Sequence, residues 1–313
     1  MPTKLQFDPA SDIPSLAGRV ILVTGGTAGL GRETVLSFAA HAPAHIFFTG
    51  RSASSADSLV QDVAARYPGC PVTFTPCDLA SLDSVFQAAK SIIAQTARLD
   101  IAMMNAGVMA LPPGLTKDGY EIQFGTNHMG HALLAKLLTP LLSATAQRTG
   151  DVRLVWTTSL GYKAHLKAGV LFDSIKTTQC NITPVLGSWM RYGQSKLANL
   201  LYARAFAQHH PGMVSVSIHP GVSATGLVTS LSFANRMFVY ATNIGRMISA
   251  EECAWNQQWA ATALLGSAEG QVESGKYYEP VGIKTVPSGE ATNDELAESL
   301  WQWTQEELAA YTL

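Results

Sequence analysis

Two short segments of this 313-residue chain combine residue types whose spacing suits chemistry. Residues 192–196 read Tyr-Gly-Gln-Ser-Lys, so a phenol and an ammonium lie four residues apart and, on a helix, on one face. Residues 24–31 read Thr-Gly-Gly-Thr-Ala-Gly-Leu-Gly directly after an apolar run, a pattern typical of a turn that holds a pyrophosphate. The pair, in this order, predicts that a nicotinamide cofactor binds and that hydride transfer is coupled to proton transfer.

The tyrosine of the second segment needs an activating neighbour. An unperturbed tyrosine has a pKa of about 10, which makes it a poor base near neutral pH. The ammonium of Lys196 and the positive nicotinamide both favour the phenolate, so we expect the pKa of Tyr192 to be lowered. Lys196 would also reach the nicotinamide ribose hydroxyls. Tyr192 would then donate a proton to a carbonyl oxygen during reduction, or accept one during oxidation.

The residues after the first two predicted strands indicate which nicotinamide cofactor binds. We expect cofactor contacts from the glycine turn at Gly25, Thr27, Gly29, Leu30 and Gly31. An NAD site places a carboxylate after the second strand, but residues 48–52 read Phe-Thr-Gly-Arg-Ser, with no acid until residue 57. Arg51 offers a positive fork to a 2′-phosphate and Ser52 a hydroxyl, which favours NADP(H). The alternative is that Arg51 is an ordinary solvated loop residue.

Two further segments after predicted strands face the same cofactor. Asp78 and Leu79, after the third strand, are placed to meet the adenine. Asn105, Ala106 and Gly107, after the fourth, allow the backbone to pass close to the cofactor ribose.

Short apolar runs alternate with helical stretches along the chain. Because these runs lack polar alternation, they indicate strands buried on both faces, as in a parallel sheet covered by helices. We therefore predict an α/β single-domain Rossmann fold, a doubly wound parallel sheet with helices on both faces, over residues 18–313 after an N-terminal extension of residues 1–17. The predicted strands are Val20–Thr24, His45–Thr49, Val72–Thr75, Ile101–Met104, Val152–Thr157 and Val214–His219.

A long, mostly apolar helical region at residues 226–265 precedes a short strand at Lys276–Tyr278 and is predicted to be a helical substrate lid. Its composition indicates a pocket for a lipophilic ketone or alcohol, although the same side chains could instead pack on the core. Residues 294–308 predict an amphipathic helix that packs on its own domain or on a second copy, so the chain is a monomer or a homodimer. The apolar lid residues are Leu227, Val228, Leu231, Phe233, Met237, Phe238, Tyr240, Ile244 and Met247.

The chain resembles the short-chain dehydrogenase/reductase family from about Leu16 to Tyr278. The ordered motifs that carry the resemblance are the glycine turn, Asp78-Leu79, Asn105-Ala106-Gly107, Asn127, Ser159, Tyr192-Gly-Gln-Ser-Lys196 and Pro220-Gly221. The resemblance implies that Ser159, Tyr192 and Lys196 are catalytic, with Ser159 hydrogen-bonded to the substrate oxygen. It also implies that Asn127 holds a water linking Lys196 to solvent, and that Pro220, Gly221 and Thr225 contact the nicotinamide side.

Two positions depart from the family pattern. Met104 stands where many members carry an asparagine, which would alter a structural hydrogen bond. Residues 157–159 read Thr-Thr-Ser where many members show paired serines; the register favours Ser159, with Thr158 as the alternative. Residues 105–134 and the helix around Tyr192 are similar to the retinol-dehydrogenase-like branch, without its common membrane anchor. Segments near both ends are similar to soluble fungal reductases of specialised metabolism.

Composition excludes several other classes of function. The net charge is −2 with no basic stretch, which argues against nucleic acid, and no run of about 20 apolar residues predicts an integral membrane segment. The four cysteines form no Cys-x-x-Cys pair, which is typical of reduced thiols in a cytoplasmic protein. His128, His131 and His219 lie on different elements without carboxylate or cysteine partners at ligand spacing, so no metal site is predicted.

The sequence thus predicts an NADPH-dependent carbonyl reductase or alcohol dehydrogenase acting on a lipophilic small molecule. Reduction is the favoured direction, because NADPH is kept reduced in cells. The alternatives are an isomerase or cyclase of a biosynthetic pathway on the same fold, or an NADP-binding regulator without turnover.

Overall fold

One twisted sheet organises the computed structural model, which describes residues 5–183, 186–223, 226–229, 231–245 and 247–313. The strand order within these residues is β3-β2-β1-β4-β5-β6-β7-β8, and neighbouring strands are parallel except for the antiparallel pair β7 and β8. The strands are β1 Val20–Val23, β2 His45–Gly50, β3 Val72–Pro76, β4 Ile101–Met104, β5 Arg153–Thr157, β6 Val214–Ile218, β7 Tyr277–Glu279 and β8 Ile283–Thr285.

Helices cover both faces of the sheet. They are α1 Pro9–Asp12, α2 Gly29–Ala39, α3 Ala53–Arg66, α4 Leu82–Gln95, α5 Ile122–Phe124, α6 Gly130–Thr149, α7 Gly187–His209, α8 Gly226–Thr229, α9 Phe233–Thr242, α10 Ala250–Thr262 and α11 Asp294–Glu307. A π-helical turn, Gly125–Met129, joins α5 to α6. None of the helices within the described residues has the length and apolarity to span a bilayer.

The alternation along β1 shows how one strand serves two cores. Val20 and Leu22 belong to the core on the α4, α6 and α7 side, while Ile21 and Val23 belong to the core on the α2, α3 and α10 side. Successive side chains of a strand point to opposite faces, so a strand buried on both faces reads as a continuous apolar run. The predicted doubly wound sheet with helices on both faces is confirmed.

The connections reverse direction at β1, because β2 and β3 lie on one side of it and β4 to β8 on the other. In such sheets ligands bind at the carboxyl ends of the strands, beside this switch point. All six strands predicted up to residue 219 form, with ends within one residue of the prediction. The antiparallel edge strand β8 was not predicted, because three residues with a lysine in the middle give no apolar run.

The predicted lid range, residues 226–265, contains two kinds of helix. α10 packs against α2 and the sheet, with Trp259 and Ala260 in the core, so this helix belongs to the body rather than to a lid. Exposed apolar side chains of the range lie on α8, on and beside α9, and after α10, at Leu227, Phe233, Met237, Phe238, Ile244, Leu264 and Leu265. We therefore limit the proposed lid to α8, α9 and the turn that follows, up to residue 245.

Both ends of the described chain pack on this body. In the predicted N-terminal extension, Phe7, Ile13 and Leu16 are buried in the same core as α10. At the other end, α11 lies on α7 with Leu300 fully buried, so its apolar face packs on its own domain.

Candidate active site

The glycine turn after β1 is tied to the turn after β4 by Thr24. The Thr24 hydroxyl accepts hydrogen bonds from the backbone amides of Asn105 and Ala106, at 2.9 and 3.0 Å. In return the Asn105 side chain donates to the Thr24 carbonyl at 2.8 Å. Met104, the departure from the family pattern, points into the core and is fully buried. These bonds hold the two turns together at the switch point of the sheet.

The glycine turn leaves no room for side chains and exposes amide donors. Gly25 has a φ of +67°, and a Cβ at Gly31 would lie 2.3 Å from the Gly25 carbonyl oxygen. α2 starts immediately after, and its N-cap residue Ala28 makes no side-chain capping hydrogen bond. The first-turn amides of a helix have no intrahelical partners, so this end of α2 fits an anionic pyrophosphate.

Arg51 and Ser52 lie at the end of β2, next to the glycine turn. Gly50 brings the strand against Thr27, since a Cβ at position 50 would lie 2.7 Å from the Thr27 hydroxyl. Arg51 is exposed and, within the described ranges, makes no ion pair. The Ser52 hydroxyl caps α3 by accepting from the Ser55 amide at 3.2 Å. An anion bound here would contact the Arg51 guanidinium and the positive N-terminal end of α3.

Asp78 and Leu79 form the wall beyond β3. Asp78 is partly buried, and its carboxylate accepts from the Ala80 amide at 3.1 Å. Leu79 is buried against α6, where a Cβ at Gly130 would lie 2.6 Å from the Leu79 carbonyl oxygen. Their contact with adenine remains a prediction.

Gly107, Asn127 and Lys196 converge at one point. A Cβ at Gly107 would lie 3.1 Å from Asn127 Oδ1 and 3.3 Å from Lys196 Nζ. Lys196 is buried and donates to the Thr157 carbonyl at 2.9 Å. The Asn127 side chain accepts from the Val108 amide and donates to the Ser195 hydroxyl, at 2.8 and 2.9 Å. Because its side chain bonds to protein partners, the expected water would have to share its backbone carbonyl.

That carbonyl is shared with a residue that the sequence analysis had considered only as a metal ligand. His131 Nδ1 donates to the Asn127 carbonyl at 2.9 Å, and its Nε2 lies 2.9 Å from the Thr24 hydroxyl. Burial lowers the pKa of His131 to about 4, so the ring is neutral. His131 therefore links the glycine turn to Asn127; its spacing of four residues on one helix was the available signal.

Ser159 lies beside Tyr192, and its hydroxyl is hydrogen-bonded to the phenol. The Thr158 hydroxyl is engaged elsewhere, donating to the Lys196 carbonyl at 2.6 Å. The geometry thus favours Ser159 over Thr158. Gly161, which the sequence analysis missed, faces the tyrosine ring, and a Cβ there would lie 2.8 Å from Tyr192 Cε1.

The protonation states of Tyr192 and Lys196 follow from their burial. Burial raises the pKa of Tyr192 to about 12, although the Ser159 hydrogen bond lowers it in part. Burial lowers the pKa of Lys196 to about 8. Without the cofactor's charge, the expected lowering of the Tyr192 pKa does not occur. The cost of burying the phenolate outweighs the attraction of the Lys196 ammonium, which lies 5.9 Å from the ring centroid. The phenol is neutral at pH 7, as a proton donor must be.

The segment after β6 bends towards these residues. Gly221 has a φ of +97°, and a Cβ there would lie 3.0 Å from Ile248. Pro220 precedes it and is partly buried. Thr225, the third predicted contact on the nicotinamide side, lies outside the described residues.

An apolar cluster surrounds the Tyr192 ring. Trp189 stands edge-on to Tyr192 with ring centroids 6.3 Å apart, and its indole nitrogen donates to Asn235 of α9 at 3.1 Å. The lid thus packs partly on the tyrosine and partly exposes apolar side chains. The buried members of the cluster are Met109, Ala110, Tyr192, Val228, Leu231 and Val239.

Metal chemistry was also considered for the histidines. Among the described residues, no group of three or more His, Cys, Asp or Glu side chains is arranged to hold a metal ion. His128 and His219 are buried, and burial lowers their pKa values to about 3 and about 4.

Several known proteins are similar to this chain in sequence or in fold. A family model described as short chain dehydrogenase matches residues 19–183. The short-chain dehydrogenase/reductase drtF of Aspergillus calidoustus is 34% identical over 310 residues, which covers 95% of each chain. Retinol dehydrogenase 13 of Homo sapiens is 32% identical over 92% of this chain and 83% of its own length. The crystal structure of an NADPH-bound carbonyl reductase from chicken fatty liver matches with a TM-score of 0.62 at 21% identity, over 87% of this chain and 100% of that one, which supports the fold alone.

Proposed function

The chain belongs to the short-chain dehydrogenase/reductase family, and we propose that it is an NADPH-dependent carbonyl reductase for lipophilic ketones. In the opposite direction it would oxidise the corresponding secondary alcohol. The observation that carries the proposal is the meeting of Ser159, Tyr192 and Lys196 beside an apolar cluster at the carboxyl edge of the sheet. Membership of the family supports an oxidoreductase activity. The cofactor, the substrate class and the roles of the residues are our proposal.

In this proposal the side chains of Tyr192 and Ser159 transfer the proton and stabilise the carbonyl oxygen. With a pKa raised to about 12 by burial, Tyr192 is a neutral phenol, and Ser159 lies close enough to lower that pKa in part. A carbonyl oxygen placed between the two hydroxyls would accept hydrogen bonds from both, which stabilises the negative charge that develops during reduction. Tyr192 then donates its proton to that oxygen as the alcohol forms.

Lys196 is proposed to stabilise the Tyr192 phenolate and to take part in returning its proton. With a pKa of about 8 its amine is mostly protonated at pH 7, and the charge favours the transient phenolate. Its bond to the Thr157 carbonyl holds the ammonium between Tyr192 and Asn127. A water on the Asn127 carbonyl would return a proton to Lys196.

The residues at the switch point fit NADP(H), which when bound supplies or accepts the hydride at the carbonyl carbon. The glycine turn and the uncapped start of α2 suit a pyrophosphate. The exposed Arg51, at the start of α3, suits a 2′-phosphate because its guanidinium can bind phosphate through two parallel hydrogen bonds. The phosphate preference is thus proposed from Arg51.

The substrate is proposed to be lipophilic because of what lies around Tyr192. Met109, Val228, Leu231 and Val239 pack together with the phenol, so a ketone could bury hydrocarbon against them and present one oxygen to the two hydroxyls. We also propose a cytoplasmic location, which the four free cysteines favour.

The experiment that tests this function measures NADPH oxidation across a panel of lipophilic ketones. NADH serves as the matched cofactor control, and a panel of hydrophilic keto acids serves as the substrate control. We expect turnover with NADPH and lipophilic ketones only. Tight NADPH binding without oxidation by any ketone would refute the proposed reductase.

A further inference from the structure

Five polar or charged side chains are buried together beside the start of α7, outside the reaction steps described above. Each is at most 2% exposed, although such residues normally remain on the surface. They lie between α7, the start of α5 and the loop of residues 171–183. They are Glu121, Gln123, Gln179, Arg191 and Gln194.

Glu121 begins the helix that carries Asn127. One carboxylate oxygen accepts from the amides of Gln123 and Phe124, at 2.9 and 2.7 Å. The other lies 3.2 Å from Nε of Arg191. The Glu121 amide donates to the Ile175 carbonyl at 2.7 Å. One residue thus joins the Asn127 helix to α7 and to the loop 171–183.

Arg191 directly precedes Tyr192 and holds two loops. Its guanidinium donates to the carbonyl of Leu111 at 3.1 Å and to that of Gln179 at 3.4 Å. Leu111 follows Met109 and Ala110, which belong to the apolar cluster around Tyr192. The arginine therefore fixes a wall of the proposed substrate pocket to the residue before the proton donor.

Gln194, two residues after Tyr192, anchors the same loop twice more. Its side-chain carbonyl accepts from the Leu171 amide at 2.9 Å, and its amide group donates to Gln179 Oε1 at 3.1 Å. The Gln179 amide group in turn donates to the Ser174 hydroxyl at 3.0 Å.

The backbone is strained where these side chains hold it. Ala110 and Gln179 have φ values of +50° and +49°, a left-handed conformation that is unfavourable for residues with a Cβ. The Gln179 carbonyl accepts a hydrogen bond from Arg191. Ala110 directly precedes Leu111, whose carbonyl accepts the other hydrogen bond from Arg191. Such strain persists where surrounding contacts over-determine the conformation, and it concentrates at functional sites.

Stability alone does not account for this arrangement. Burying an ion pair costs desolvation that its mutual attraction rarely offsets, so an apolar cluster of the same volume would be as stable. We infer that Glu121, Arg191 and Gln194 are positioning residues, which fix residues 109–111, a wall of the proposed pocket, and the loop 171–183 relative to Tyr192. This inference rests on the proposed reductase function.

Hydrogen–deuterium exchange tests the anchoring without requiring turnover. In Glu121→Gln we expect faster exchange at residues 108–115 and 171–183, and in Gln194→Met faster exchange at residues 171–183 only. The control is Asp100→Asn, which removes a fully buried carboxylate paired with Arg98 at the opposite edge of the sheet. It should leave both segments as slow as in the unmodified protein.

Steady-state kinetics then separate positioning from general stability. We expect both Glu121→Gln and Gln194→Met to lower ketone kcat/KM by about tenfold or more through displaced pocket walls, while the NADPH Kd stays within about twofold. Unchanged exchange and unchanged kcat/KM in both variants, or the same changes in Asp100→Asn, would overturn the inference. Faster exchange in a protein whose unmodified form reduces no ketone would confirm the anchoring and refute the proposed function instead.

Discussion

Replacing Gly161 by alanine tests the placement of the proton donor without removing any catalytic atom. The added Cβ would lie 2.8 Å from Tyr192 Cε1 and 3.2 Å from Cδ1. Ordinary carbon–carbon contact begins at about 3.5 Å, so the ring must retreat by roughly 0.7 Å. A displacement of about 1 Å can cost about a hundredfold in rate, so we expect kcat to fall about 30-fold.

The assay is NADPH oxidation with a saturating lipophilic ketone, together with the NADPH Kd and the Tm. Gly161 has no positive φ, so the variant should fold and bind NADPH as before. Gly212→Ala is the matched control, because a Cβ there meets no atom within 4 Å and its φ is also not positive. A Gly161→Ala protein with the kcat of the Gly212→Ala protein would refute the reasoning that the Tyr192 ring must stay in place.

Three further predictions concern the choice of cofactor, the protonation of Lys196 and the packing of α11. Arg51→Ala should raise the KM for NADPH about tenfold or more, and that for NADH by less than about twofold, because only NADPH carries the 2′-phosphate; an unchanged cofactor preference would remove Arg51 from the site. The rate of ketone reduction should fall as the pH rises through about 8, where Lys196 loses its proton, and a pH–rate profile that stays level well beyond that point would contradict its role. Leu300→Ala should lower the free energy of unfolding by about 2–5 kcal/mol in chemical denaturation, because this α11 side chain is fully buried. A loss below about 1 kcal/mol would contradict the docking of α11 on α7.

Most of the sheet could be predicted because its strands are buried on both faces. β1, β2, β4 and β5 each contain an apolar run, whereas β3 and β6 alternate apolar residues with threonine or serine. The run at residues 20–24 is followed at once by the glycine turn. Parallel strands also put every loop at their carboxyl ends on one edge of the sheet. The segments singled out after β1, β2, β4 and β5 therefore had to lie along the same edge.

What could not be predicted depends on contacts between distant residues. α10 lies within the range predicted as the lid, and its packing against α2 and the sheet is what distinguishes it from the lid helices. Glu121 and Arg191 are ordinary residues in the sequence, seventy positions apart, and their pairing emerges only when α7 crosses the start of α5. The upward shift of the Tyr192 pKa likewise follows from burial, which a four-residue spacing does not reveal.

The choice between Ser159 and Thr158 shows how local geometry completes a sequence argument. Adjacent residues at a strand end point in different directions, so only one can face the proton donor. Thr158 is used by the Lys196 carbonyl, which leaves the Ser159 hydroxyl with Tyr192. The sequence contained both hydroxyls, and the engagement of Thr158 favours Ser159 as the proposed catalytic hydroxyl.

The most direct test of the central claim follows deuterium from the cofactor into the product and compares the unmodified protein with a Tyr192→Phe variant. The protein is mixed with a lipophilic ketone and NADPH that carries deuterium at both C4 positions of the nicotinamide, and the product alcohol is analysed by mass spectrometry and NMR. We predict deuterium on the carbinol carbon, and a Tyr192→Phe variant that binds NADPH as tightly but forms almost none of this alcohol. An alcohol without deuterium, or equal product formation by Tyr192→Phe, would contradict the account.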